Sequence, residues 1–149
     1  MVFETNKDKG RAGFAAAIAY FGMNGYTVSI PLNDTQDYDL VIEKNNIFQK
    51  VQCKATGSAD GTIDFRITSG KQNGKTINNL LNTSIDILFC LNQNGTMFNI
   101  PFQDIIESGN KHSIKLREEP LSKFANKNIF DTSKYIVKFW GYGRVGSRR

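Results

Sequence analysis

Cysteine, histidine and proline are scarce in this chain: two, one and three among 149 residues. Cys53 and Cys90 are too few for a disulfide framework, and each lies in an apolar stretch that reads as a strand. Buried free thiols in a reducing compartment are the expectation. His112 stands alone and reads as a structural or solvent-exposed residue rather than a metal ligand. No apolar run approaches the roughly 20 residues of a membrane span, and residues 1–7 lack the apolar stretch of a secretory signal. The reading predicts a cytoplasmic protein with no membrane partner. Acidic residues are missing from the segment 134–149, which holds Lys134, Lys138, Arg144, Arg148 and Arg149.

Hydrophobic residues make up 40% of the chain and charged residues 22%, an ordinary globular balance. The length suits a single domain, 1–149, large enough to bury a core. Net charge is +5, and the five cations of the tail at about 134–149 account for it, so the rest is close to neutral. Such a tail either binds a polyanion, by releasing its counterions, or keeps a terminus soluble.

Phe14, Ala17, Ile18 and Phe21 recur at helical spacing, which predicts a helix over 7–24 closed by Asn24-Gly25. Strands are predicted at 26–30, 37–43, 47–54 and 62–68. A polar stretch at 69–76 follows, then a helix around 77–82. Residues 85–91 and 96–100 read as a strand pair across Asn92-Gln93-Asn94-Gly95. Pro101 suits the first turn of a helix to about Ser108, and a last strand is expected near 135–139. Helix, strands, helix, strands describe an α/β (α+β) domain around a mixed central sheet flanked by helices.

The most informative segment runs from Tyr38 to Lys54. Asn45-Asn46 suits a two-residue hairpin loop, because asparagine tolerates positive φ. With that loop, Leu40 faces Val51, Asp39 faces Gln52 and Asp37 faces Lys54. Alternation puts Tyr38, Leu40, Ile42, Ile47, Val51 and Cys53 on one face, with Gln49 the polar intruder. The other face holds Asp37, Asp39, Glu43, Lys50, Gln52 and Lys54, with Val41 and Phe48 among them. Opposed side chains lie about 5 Å apart at Cβ, so Asp39, Gln52 and Lys54 can meet. A carboxylate and an amide oxygen are hard ligands of the kind Mg²⁺ takes, and a neighbouring lysine can orient or deprotonate a water, or stabilise charge on a phosphate. A solvated hairpin face carrying an ion pair is the plainer alternative.

Asp39 followed thirteen residues later by Gln52-Cys53-Lys54 resembles the signature of PD-(D/E)XK nucleases, an Asp and then (D/E)-x-K on the next strand. Pro31, the entry Gly25-Tyr26-Thr27-Val28, and Lys9-Gly10-Arg11-Ala12-Gly13-Phe14, similar to the KGxxGE helix start of resolvase-like and homing-type members, extend the likeness over roughly residues 7–56. Gln52 in place of the second acid resembles a bacterial, group I intron-encoded homing endonuclease subset. The resemblance implies a restriction-endonuclease-like core. It also implies catalytic roles for Asp39, Gln52 and Lys54, and a Mg²⁺ site on Asp39, Gln52 and the main-chain carbonyl of Cys53. Phe14 stands where such members carry a metal-supporting helix Glu, and it also fits the apolar face of its helix. The implied function is site-specific cleavage of double-stranded DNA by a homo-oligomer, a dimer or dimer of dimers. A Holliday-junction resolvase and a catalytically impaired DNA-binding module are the alternatives. One histidine argues against an HNH nuclease, and neither a GIY-YIG nor a LAGLIDADG motif is present.

For DNA contact, strand 62–68 presents Thr62, Asp64, Arg66 and Thr68 on one face, residue types that can read base edges in a groove. Lys71 and Lys75 of the polar stretch suit phosphate, and Gln72 and Asn73 suit bases. Arg144, Arg148 and Arg149 form a glycine-rich basic arm that can track the duplex. Trp140 reads as a packing residue.

Overall fold

The computed structural model describes residues 3–57, 63–66, 68–72, 75–79, 83–109, 113–126 and 129–139. Within 63–79 and at 113 it is the backbone that is described. Helix α1, Asn6–Met23, starts at a reciprocal cap. The Thr5 side chain accepts from the Asp8 N–H, and the Asp8 carboxylate accepts from the Thr5 N–H. Ala17 and Phe21, two of the four stripe residues, are fully buried.

Three strands follow: β1 (Thr27–Ser29), β2 (Leu40–Lys44) and β3 (Ile47–Ala55). The β2–β3 turn has φ of 54° at Asn45 and 65° at Asn46, the left-handed pair that a two-residue hairpin needs. Its register is the predicted one, from Lys44↔Ile47 to Leu40↔Val51. With β7 (Ile87–Leu91), β8 (Met97–Pro101) and β10 (Ile136–Val137), these strands form a six-stranded sheet in the order β1-β2-β3-β7-β8-β10. Only the β3–β7 pair is parallel, so the sheet is mixed, as expected. Helix α2, Phe102–Glu107, follows β8 directly, and Pro101 stands just before its first turn rather than within it.

Each face of this sheet has its own core. Ala17 and Phe21 of α1 pack with Leu40, Ile42, Val51, Ile87 and Phe89 on one side. On the other, Leu88, Cys90, Phe98 and Ile100 pack with α2 and with Ile114 and Leu116 of β9 (Ser113–Leu116). Among the described residues no helix is long and apolar enough to cross a membrane.

Two expectations fail in the middle of the chain. Residues 77–82 were expected to be helical, yet β6 (Lys75–Asn79) is a strand there, paired antiparallel with β5 (Thr68–Gln72). Thr76 and Ile77 are β-branched and prefer the extended chain once a partner strand is present. The expected strand 62–68 is divided, because β4 (Ile63–Arg66) pairs with β9 and Thr68 belongs to the β5–β6 sheet. The last predicted strand is reduced to two residues, preceded by a 3-10 helix over Thr132–Tyr135 that Asp131 caps.

Candidate active site

Strand β3 is the backbone of the site. Its odd residues Val51, Cys53 and Ala55 pack toward α1, so alternation turns Gln52 and Lys54 to the opposite side of the sheet. Their parallel partners, Leu88 for Gln52 and Cys90 for Lys54, belong to the second core, which agrees with this assignment. Gln52 is half-buried and Lys54 exposed.

Asp39 arrives by a different route from the one predicted. The β2–β3 ladder stops at Leu40↔Val51, and the Asp39 N–H donates to the Val51 carbonyl at 2.8 Å, one residue short of the Gln52 expected from the register. The chain bends at that point, and Asp39 Oδ2 accepts the Cys53 N–H at 2.7 Å. Asp37 and Lys54 are likewise not a strand pair. The bend also moves Tyr38, expected beside Leu40, to the second core, with Lys50 Nζ 5.8 Å from its ring centre. Lys50 donates to Ser84 Oγ at 2.8 Å, so this member of the predicted polar face is a structural tie.

The carboxylate of Asp39 therefore sits against the backbone of the residue between Gln52 and Lys54. In an antiparallel ladder the N–H and C=O of one residue face the same neighbour. The Cys53 carbonyl accordingly points to the edge where its N–H meets Asp39. A carboxylate oxygen, a main-chain carbonyl and the amide oxygen of the adjacent Gln52 are each hard donors of the kind a small divalent cation takes. With one carboxylate, the set carries less negative charge than one with two. Among the described residues no three His, Cys, Asp or Glu side chains form a metal cluster; the donors here are of other classes, apart from Asp39.

The Cys53 thiol faces α1. Burial, then the nearby Asp39 charge, pushes it far above the ordinary thiol range. Cys90 is raised by burial to about 12, with Lys54 acting in the opposite direction. Both are free thiols, as predicted, and burial that keeps a thiol protonated disfavours the thiolate a nucleophile needs. Phe14, for which the resemblance implied the place of a helix Glu, is half-buried and packs in the α1 core. At its neighbour Gly13 the helix lies close against the end of β3. A Cβ there would lie 3.1 Å from Ala55 Cβ, 3.2 Å from the Lys54 carbonyl oxygen and 3.3 Å from its carbon.

Of the DNA-contact candidates, Asp64 and Arg66 fall on β4, Thr68, Lys71 and Gln72 on β5, and Lys75 on β6. Thr62, Asn73, Arg144, Arg148 and Arg149 lie outside the described residues, as does Trp140. The sequence reading missed Glu118, whose carboxylate accepts from Asn92 Nδ2 and Asn94 Nδ2 at 2.8 and 2.7 Å, and from Thr96 Oγ1 at 2.7 Å. These bonds tie the β7–β8 turn to the segment after β9. The Asn-rich turn was the available signal, but nothing in the sequence places a glutamate more than twenty residues away beside it.

The family model for PD-(D/E)XK endonucleases matches residues 4–138 of the chain. Among solved structures, a bacterial homing endonuclease, I-Ssp6803I, is similar at 23% identity, with a TM-score of 0.66 over 89% of this chain and 88% of that one. No curated protein matches.

Proposed function

The chain belongs to the PD-(D/E)XK endonuclease family, and on that premise we propose that it is a metal-dependent, site-specific DNA endonuclease of the homing kind. The observation that carries this reading is the Cys53 N–H bond to Asp39, which holds the acid against the strand that presents Gln52 and Lys54. Asp39, Gln52 and the Cys53 carbonyl would hold the divalent ion, with Mg²⁺ as the candidate. Bound there, the ion supplies charge neutralisation at the scissile phosphate and acidifies a water. Lys54, exposed beside that set, orients the attacking water and offsets charge on the phosphate. Asp39 would contribute through orientation as well as charge, because one oxygen is tied to the strand and the other would be left to the ion. Phe14 leaves the set without a helix acid, so metal affinity is expected to be low. One such site cuts one strand, and a double-strand break calls for two copies.

The test is cleavage of plasmid and genomic DNA under a Mg²⁺ titration, with Lys54→Ala and Asp39→Asn alongside. Cutting by the unaltered chain should be saturable in Mg²⁺ and fall at least a hundredfold in both variants. Asn retains an acceptor for the Cys53 N–H, so Asp39→Asn should keep its melting temperature. DNA binding without cleavage at any Mg²⁺ or Mn²⁺ level would instead identify a binding module. Preference for four-way junctions over linear duplex would identify a resolvase. A chain that stayed monomeric on cleaved target DNA in light scattering would refute the paired-site arrangement.

A further inference from the structure

Strand β9 carries one exposed cation, Lys115, that the sequence reading did not mark. Ile114 and Leu116 point inward and are 3% and 0% exposed, while Lys115 between them is exposed. Antiparallel pairing sets Lys115 across from Asp64 and Ser113 across from Arg66, so these four positions share one face of the β4–β9 ribbon. The underside of the ribbon joins the core of Leu88 and Cys90, the strand partners of Gln52 and Lys54. The ribbon therefore stands on the same side of the central sheet as those two residues. Arg117 comes directly after the strand. Its Nε is buried and makes no hydrogen bond among the described residues. The side chain lines an open cleft of about 540 Å³ with Asn94, Leu121 and Ser122. Glu118 and Glu119 also line this cleft, but the Glu118 oxygens are engaged by Asn92, Asn94 and Thr96.

We propose that Lys115, assisted by Arg117, contacts the phosphate backbone of double-stranded DNA and positions the duplex along the β4–β9 ribbon. This rests on the nuclease reading above. An ammonium on an exposed strand face is a point donor for phosphate oxygens, and a guanidinium can add a two-pronged grip on the same strand of DNA. Such contacts give affinity and register without reading sequence.

The experiment is fluorescence-anisotropy binding of the full chain to a labelled mixed-sequence duplex in Ca²⁺, repeated over a range of KCl concentrations. Lys115→Ala should weaken binding about tenfold and lower the slope of log affinity against log salt by about one. Its melting temperature is measured alongside, and a lowered salt slope with the fold intact is the expected result. Arg117→Ala should act in the same direction and Arg117→Lys should restore the slope. Lys44→Ala, at the tip of the β2–β3 hairpin, is the control and should leave the slope unchanged. An unaltered slope in Lys115→Ala, or weakening confined to one DNA sequence, would overturn the phosphate assignment while leaving the nuclease reading intact. A wild-type chain that neither binds nor cuts DNA would remove both.

Discussion

Two glycines one turn apart on α1 should respond to alanine with opposite signs. At Gly10 an added Cβ meets nothing within 4 Å. Gly10→Ala should therefore show the helix-propensity gain of about 0.8–1 kcal/mol, much of it from restricting the unfolded chain. At Gly13 the same gain is opposed by three contacts of 3.1–3.3 Å, two of them to the Lys54 carbonyl group, which cannot swing aside as a side chain would. Carbon contacts settle near 3.5–4.0 Å, so α1 and β3 must part by a few tenths of an ångström. Overpacking of that kind costs about 1–3 kcal/mol, and Gly13→Ala should be net destabilising by about 1 kcal/mol. The two variants should differ by about 2 kcal/mol, or roughly 4–8 °C in melting temperature for a chain of this size. Urea titrations followed by circular dichroism give both free energies directly. Because the contact bears on the Lys54 backbone, DNA cleavage by Gly13→Ala should fall further than its stability loss explains. If Gly13→Ala proves as stable as Gly10→Ala, the helix is not seated on Lys54 and the reasoning fails.

The Glu118 carboxyl is held below its ordinary value of 4.5, first by the Thr96 hydroxyl, with burial opposing and Asn94 and Asn92 adding to the effect. A depressed acid stabilises the fold above its unfolded value, and that contribution is lost as pH falls through the folded one. Glu118→Ala should cost about 1–3 kcal/mol at pH 7, by leaving the buried Asn92 amide without this acceptor. The gap to wild type in urea titrations should narrow below pH 4.5; a constant gap from pH 7 to 3 would contradict this. At the β2–β3 turn, Asn46→Val should lose about 1–2 kcal/mol by forcing a branched residue to positive φ, whereas Asn46→Gly should be neutral or stabilising. Equal stability of the two in thermal melts would argue against the turn geometry.

Short-range rules made the hairpin and first helix readable. Asn45-Asn46 gave the turn, the turn gave the register, and alternation then sorted Val51 and Cys53 from Gln52 and Lys54. That chain of inference holds only while the strand is regular. It stopped at Leu40, where the bend moved Tyr38 to the other core and took Asp39 off the ladder. The resemblance to the nuclease signature survived because it depends on residue order, not on pairing. The segment around Thr68–Asn79 was misread for a different reason. Its polar residues carry little periodicity, and its state is decided by a partner strand. Strand β9, four residues long, was too short to stand out from its surroundings. Glu118 and the Gly13 approach are long-range contacts, for which one sequence offers no local cue.

The early end of β2 leaves a notch in the sheet beside the last residues of β3, and an acid occupies part of it. Position 53 consequently answers to two independent demands. Its side chain must suit the underside of α1, while its peptide group, common to every amino acid, faces the notch. Alanine or valine can replace the cysteine there without altering the oxygen offered at the edge. The middle letter of the Gln-x-Lys motif is thus free to drift with the helix above it, while Gln52 and Lys54 keep to the opposite side of the sheet.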